Sequence, residues 1–427
     1  MLYRELLKRE SEGSPIRAAV SGAGWIGGGF VTQVSLMKGM TVNVLADTDA
    51  GLARRVLEST GVPPEAIVET DSPSKAQDAL SRGKRVVTGC YDLAAQLESV
   101  DIVVDVTPFP AIGAETAWSC IQNGKSVVLV NIEADVTVGR ILKKRADEAG
   151  VLYTVSNGDE PGCLMELWDY VHTLGFQPIA IGKGKNNPMN TAATPDSVAE
   201  SARRDDKDPF QVASYVDGTK TMFEMASVAN ATGCLPIRRG MVGPEATRQT
   251  ITGIFSLEED GGICPFPGVV DFVQGSDMSG GVFLTVRVDN ARIAADLKYL
   301  KAGNGRYTTF FRPYHLWFIE APISVARAHL YGERWLVPLD RPVVEVMTVA
   351  KKDLQPGDVL DEFGGYTFHG SMDGAGEAKK LDALPVGLAP GAKITRRVGK
   401  GDVVTWADVR LDESSTVVKL RREQDAL

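Results

Sequence analysis

Gly182-Lys183-Gly184-Lys185-Asn186-Asn187 sets two cations and two amides on a backbone that glycine leaves free to approach a ligand closely. A lysine beside a carbonyl or alkoxide oxygen stabilises developing negative charge or moves a proton, and two or three lysines together hold a carboxylate or phosphate. Lys183 or Lys220 is expected at the reacting oxygen, with Lys185, Asn186 and Asn187 orienting the substrate. Lys220 lies in Asp217-Gly218-Thr219-Lys220-Thr221, which reads as the opening of a helix, with Glu224 four residues on. That spacing also suits a surface i,i+4 ion pair, and Asp217 also suits an N-cap. Asn157-Gly158-Asp159-Glu160-Pro161-Gly162 ends one strand and starts a helix. Asp159 and Glu160 there either cap that helix or ligate a divalent metal. Among the four His, His315 in Arg312-Pro313-Tyr314-His315 is the best placed to join the substrate residues, a core position beside aromatics being the alternative.

A second constellation follows the first strand. The buried-strand run 16–20 leads directly into Ser21-Gly22-Ala23-Gly24-Trp25-Ile26-Gly27. Gly22 permits a tight turn, Gly24 lets a diphosphate approach the backbone, and Gly27 lets the following helix pack close, with its N-terminus attracting the anion. Asp47 ends the next strand about 20 residues on, where an acid accepts ribose hydroxyls. Asp47 favours NAD, whereas Arg54 and Arg55 suit the 2′-phosphate of NADP, so both dinucleotides stay open. Thr107-Pro108 and Asn131-Ile132-Glu133 end later strands and face the ligand crevice. With Trp25, Ile26 and Glu320, residues Thr107, Pro108 and Asn131 are assigned to the dinucleotide side, while Glu133 joins Asp217, Asp159 and Glu160 in a polar network or metal site.

These residues need elements to hold them. Apolar runs at 16–20, 40–47, 101–110, 126–134 and 151–157 alternate with helical patterns at 30–37, 49–60, 111–123 and 136–149, and a helix over 1–13 precedes them. Continuous apolar strands between amphipathic helices predict an α/β domain with a doubly wound parallel sheet over residues 1–157. Residues 158–340 read as an α+β domain for substrate binding and dimerisation. It has helices over 162–174 and 217–233, a strand at 179–187, and antiparallel strands at 251–257, 268–275 and 280–288. A helix over 319–332 is expected to return to the first domain. Residues 341–427 read as a small β-rich domain, with 369–391 mostly loop and 412–427 a frayed charged tail.

Composition narrows the function classes. The 427 residues carry 46 Lys+Arg against 55 Asp+Glu, a net charge of −9, which argues against coating nucleic acid. No apolar run approaches the roughly 20 residues of a membrane helix. Five Cys without a CxxC pair, and no leader-like N-terminus, predict a reduced, cytoplasmic protein. The expected partners are a small-molecule substrate and further copies of the chain, as a dimer or tetramer.

The succession AAVSGAGWIGGGF (18–30), VDVTPFP (104–110), VNIEADVTVG (130–139), SNGDEPG (156–162), GKGKNN (182–187), DGTKTMFEMASVANATG (217–233), FRPYHL (311–316), APISVARAHL (321–330) and AKKDLQPGDVLDEFGGY (350–366) resembles the homoserine dehydrogenase-like NAD(P)-dependent oxidoreductases. More narrowly it is similar to the branch with a C-terminal SAF domain, which includes 1-deoxy-D-xylulose 5-phosphate reductoisomerase-like enzymes and enzymes acting on sugar acids. The resemblance implies a Rossmann domain, a central substrate and dimerisation domain, hydride transfer at the nicotinamide, a lysine serving the reacting oxygen, and a place in isoprenoid or carbohydrate metabolism. This chain departs from homoserine dehydrogenases at Glu133, where they usually carry Lys, and at Lys183–Asn187, which replaces an Asn-Gly-Thr-Thr-Asn loop. It departs again in the Asp217-to-Lys220 spacing of three, where theirs is four. The extra cations point to a sugar phosphate or sugar acid, with homoserine as the alternative substrate and a non-catalytic dinucleotide or carbohydrate sensor as the alternative role.

Overall fold

The computed structural model describes residues 1–427, which divide into two compact units. The first comprises residues 1–162, 316–338 and 415–427, and the second residues 163–315 and 339–414.

The first unit is built on seven strands: β1 (Ile16–Ser21), β2 (Met40–Ala46), β3 (Ile67–Glu69), β4 (Arg85–Thr88), β5 (Ile102–Asp105), β6 (Ser126–Leu129) and β7 (Tyr153–Val155). Their order is β3-β4-β2-β1-β5-β6-β7, and every neighbouring pair is parallel. Parallel strands covered on both faces must be apolar along their length, and β1, β5 and β6 are buried almost throughout. Strands β3 and β4 are short, with Glu69 exposed and Arg85 half-buried, so they lack the apolar run that marks the other strands in the sequence. The order reverses at β1, and the loops after β1 and β5 therefore meet at the switch point where such sheets bind ligands.

Helix Trp25–Leu36 contains Gly27, Gly28 and Gly29, a costly composition for a helix at roughly 0.5–1 kcal/mol per glycine relative to alanine. Packing explains two of them. A Cβ on Gly27 would lie 1.9 Å from the Gly22 carbonyl oxygen, and one on Gly29 would lie 2.5 Å from the Phe318 ring. Phe318 belongs to helix Trp317–Tyr331, the expected returning helix, which packs on helix Trp25–Leu36 through this notch.

Residues 412–427 are not a frayed tail. Helix Thr416–Asp425 buries Val417, Leu420 and Gln424, a stripe at i, i+3 and i+7, with Val418 and Arg421 beside it. Its seat is helix Ile132–Ala149. The Gln424 amide bridges the Thr137 carbonyl (3.2 Å) and the Ile141 N–H (3.0 Å), the two backbone groups that pair in an unbroken α-helix.

The second unit holds a four-stranded sheet of β8 (Gln177–Lys185), β9 (Val269–Gln274), β10 (Val282–Arg287) and β11 (Tyr307–Arg312), in the order β11-β10-β8-β9. It is mixed rather than antiparallel, because β8 and β9 run parallel. The stretch 251–257, expected as a strand, instead carries helix Ile251–Ile254. Ile251 and Phe255 are both buried at i,i+4 spacing, and short apolar runs leave helix and strand undistinguished in the sequence.

Strands β12 (Val344–Ala350) and β13 (Phe368–Gly374) pair antiparallel over seven residues, so the start of 369–391 is strand, followed by helix Ala375–Lys380. This β-rich region, residues 339–414, shares a compact unit with residues 163–315. Helix Thr219–Thr232 packs on both β12 and β13.

Candidate active site

In the first unit each glycine of the 22–27 turn answers a different geometric demand. Gly22 has φ +107°, a conformation that L side chains rarely adopt. Gly24 is exposed, and a Cβ there would meet nothing within 4 Å, so the backbone stands open to a ligand. Gly27 seals the helix start onto Gly22. The helix that follows has no side-chain cap hydrogen bond at its N-terminus, which leaves its first N–H groups for an anion. These residues fit the diphosphate of a dinucleotide.

Asp47 braces this turn. One carboxylate oxygen accepts the Ala23 N–H at 2.7 Å and the other the Asp49 N–H at 2.9 Å. Arg54 lies within 4.0 Å of Glu58 and 3.5 Å of the Pro64 carbonyl, and Arg55 pairs with Asp49. Trp25 is 53% exposed, with its ring 5.2 Å from Trp317 and 6.0 Å from Phe318, while Ile26 is half-buried. Trp317 has φ +31°, a strained value for a bulky residue. Its N–H donates to the Gly158 carbonyl at 2.7 Å, and a Cβ on Gly158 would lie 2.0 Å from the Trp317 carbonyl oxygen. Glu320 is half-buried in the first turn of the same helix.

The ends of β5 and β6 form a buried network. Asn131 caps helix Ile132–Ala149 through the Ala134 N–H. Its amide donates to Asp105 (3.0 Å), to the Thr107 hydroxyl (3.2 Å) and to the Phe109 carbonyl (3.0 Å). Thr107 also donates to Asp105 at 3.0 Å. Burial pushes the Asp105 carboxyl up to about 7, against the pull of Asn131 and Thr107. Glu133 is buried in the first helical turn and Pro108 is exposed. Asp105 was not singled out from the sequence, although an acid ending an otherwise apolar strand run was a readable signal. Asp159 and Glu160 are buried where helix Glu160–Thr173 begins.

In the second unit β8 delivers both lysines of the Gly-Lys repeat. Gly182 and Gly184 have no alternative, since a Cβ would lie 1.9 Å from the Asp271 carbonyl oxygen and 1.7 Å from that of Met278. Lys183 forms a buried ion pair with Glu224. Glu224 thus serves Lys183 across the unit, and Lys220 is half-buried in the first turn of helix Thr219–Thr232. The Lys185 ammonium donates to the Tyr215 carbonyl at 2.6 Å. Burial, and then the charge of Lys183, bring Lys185 down to about 8. Asp217 accepts the Thr219 N–H at 2.8 Å and pairs at 2.8 Å with Lys351, a residue sequence reasoning missed. Burial raises the Asp217 carboxyl, with Lys351 pulling the other way. Asn186 is exposed and Asn187 half-buried at the end of the strand. His315 Nδ1 lies 2.9 Å from the Gly280 carbonyl.

Two family profiles match the chain. That of the homoserine dehydrogenase NAD-binding domain covers residues 22–155, and that of the catalytic domain of oxidoreductase DRL covers residues 158–321. No curated protein matches. Solved structures similar to the chain include a probable dehydrogenase from Thermotoga maritima, 12% identical over 75% of this chain and 90% of that one, with a TM-score of 0.44. A putative myo-inositol dehydrogenase from Sinorhizobium meliloti is also 12% identical, over 75% and 90% of the two chains, with a TM-score of 0.41. A 1-deoxy-D-xylulose 5-phosphate reductoisomerase from Zymomonas mobilis is 17% identical over 50% of this chain and 57% of its own, with a TM-score of 0.37. From the two profiles, the chain joins an NAD-binding domain to an oxidoreductase catalytic domain.

Proposed function

We propose that the protein is a nicotinamide-dependent oxidoreductase of the SAF-bearing, reductoisomerase-like branch, acting on a small anionic hydroxy or carbonyl compound such as a sugar phosphate or sugar acid. The observation that carries the substrate class is the buried charge cluster of the second unit, in which Lys183, Lys185 and Lys351 outnumber Asp217 and Glu224. Burial strengthens each of these charges toward an anion by removing the screening of water. Bound nicotinamide supplies or accepts the hydride. Gly22, Gly24 and Gly27 would hold its diphosphate and Asp47 its ribose.

The chain's own residues handle charge and protons. The Lys183 ammonium, oriented by Glu224, stabilises negative charge on the reacting oxygen. Lys185, with its proton held less tightly than an ordinary lysine's, gives or recovers a proton at Nζ near neutral pH. Asn186 and Asn187 orient hydroxyl groups. Absorbance at 340 nm with a panel of pentulose phosphates, aldonates and homoserine tests this reading. Lys183→Met is expected to lower turnover by about 100-fold or more with little change in dinucleotide affinity. Unchanged turnover would remove Lys183 from the chemistry.

A further inference from the structure

Lys351 follows β12, far along the chain from the lysines of β8. Its ammonium meets three acceptors: Asp217 at 2.8 Å, the Ala193 carbonyl at 2.6 Å and the Gly365 carbonyl at 2.8 Å. Two of these contacts are hydrogen bonds to backbone carbonyls and the third is an ion pair, so the ammonium is turned toward the protein. The Lys351 side chain is 3% exposed and that of Asp217 is 0% exposed. A second tie runs beside the first, because the Gly370 N–H of β13 donates to the Thr219 hydroxyl at 2.9 Å. The pair β12–β13 thereby closes on the turn that carries Asp217 and Lys220.

Charge counting shows what this closure does. With Lys351 present, three ammonium groups face two carboxylates and the cluster is positive by one. Without it, the charges of Lys183 and Lys185 are cancelled by Asp217 and Glu224. A buried carboxylate that loses its partner is strongly unfavourable, so the deficit would fall on Asp217 and then on Lys185, whose charge already feels that carboxylate.

We propose that Lys351 is a positioning residue for anion recognition: by neutralising Asp217, while Glu224 pairs with Lys183, it leaves one surplus positive charge, that of Lys185, to be met by the carboxylate or phosphate of the substrate. This rests on the anionic-substrate reading above. The C-terminal β-rich region is on this account part of the substrate machinery, and not an appendage.

The test uses the full chain with excess NADH, inorganic phosphate as the calorimetric probe, and melting temperature as a second readout. Lys351→Met is expected to weaken phosphate binding about tenfold and to lower the melting temperature by about 5–10 °C, without changing NADH affinity. The double variant Lys351→Met/Asp217→Asn restores the count of plus one, and is expected to recover phosphate affinity to within about threefold of the unaltered chain. If the single variant does not fold, recovery of folding and of phosphate binding in the double variant supports the proposal, and failure of the double variant to fold overturns it. A folded Lys351→Met with unaltered phosphate affinity overturns it, as does a double variant no better than the single one. An unaltered chain that binds NADH but no phosphate overturns the anionic-substrate reading and the inference with it.

Discussion

Asp105 and Lys185 are both buried titratable groups, and their shifts run in opposite directions for the same reason. Burial penalises whichever form carries charge, so the carboxyl moves up to about 7 and the ammonium down to about 8. The consequence for Asp105 is a stability that depends on pH. Its folded value lies above its unfolded one, so its contribution is fully present below about pH 4 and is lost as pH rises through about 7. The stability of the unaltered chain relative to Asp105→Asn is therefore expected to fall between pH 4 and pH 7 and to level off above, read from urea midpoints. A difference that does not change with pH would mean that Asp105 stays ionised when folded. Residues of this kind were only partly legible in the sequence. The glycines of the 22–27 turn were readable because each answers a local backbone demand within six residues. Lys351 was not, because its partner Asp217 lies in a distant stretch of sequence, and no local pattern announces an ion pair made by tertiary folding.

At the scale of elements, helix Ile132–Ala149 shows how a distant segment can set the end of a site. Its N-terminus holds Asn131 and Glu133, and Thr137 one turn on donates its hydroxyl to the Glu133 carbonyl. Gln424 enters the ladder at Thr137 and Ile141 with both ends of its amide. Removing that amide leaves the Ile141 N–H to find the Thr137 carbonyl or go unpaired, while that carbonyl keeps the Arg421 guanidinium at 3.3 Å. Gln424→Ala is expected to cost about 1–3 kcal/mol by urea denaturation. A loss under about 0.5 kcal/mol would show that the helix closes its own ladder without help. The helices read at 49–60, 111–123, 136–149, 217–233 and 319–332 lie close to their observed bounds, whereas the strand runs 101–110 and 126–134 extend into the helices that follow and the helix read at 30–37 starts at Trp25. Those missed include the short strands β3 and β4, strand β11, which buries only Tyr307 and Thr308, and helices with few buried aliphatic residues, such as Pro73–Ser81, Ala291–Tyr299 and Thr416–Asp425. The strand at 251–257 was misread because an apolar run of that length satisfies either period.

On the scale of the whole molecule, the chain passes between its two units four times, at about residues 162, 315, 338 and 414. The β-rich region expected to stand alone shares a unit with the lysine cluster, and the last helix belongs with the parallel sheet. Sequence patterns show where elements begin and end, and they carry little about which unit an element joins, since that is decided by packing partners hundreds of residues away. The parallel sheet and its glycine turn are what every functional statement above depends on. Calorimetric titration of NADH and NADPH into the purified chain and into Gly24→Ala tests that dependence most directly. Gly24 has an extended backbone and open space around it, so the added methyl leaves the fold and melting temperature unchanged while occupying the approach of the diphosphate. The unaltered chain is expected to take up one dinucleotide, with Gly24→Ala weaker by about 100-fold or more, a loss of nearly 3 kcal/mol. Uptake of neither dinucleotide by the unaltered chain, or equal affinity in both proteins, would contradict the account.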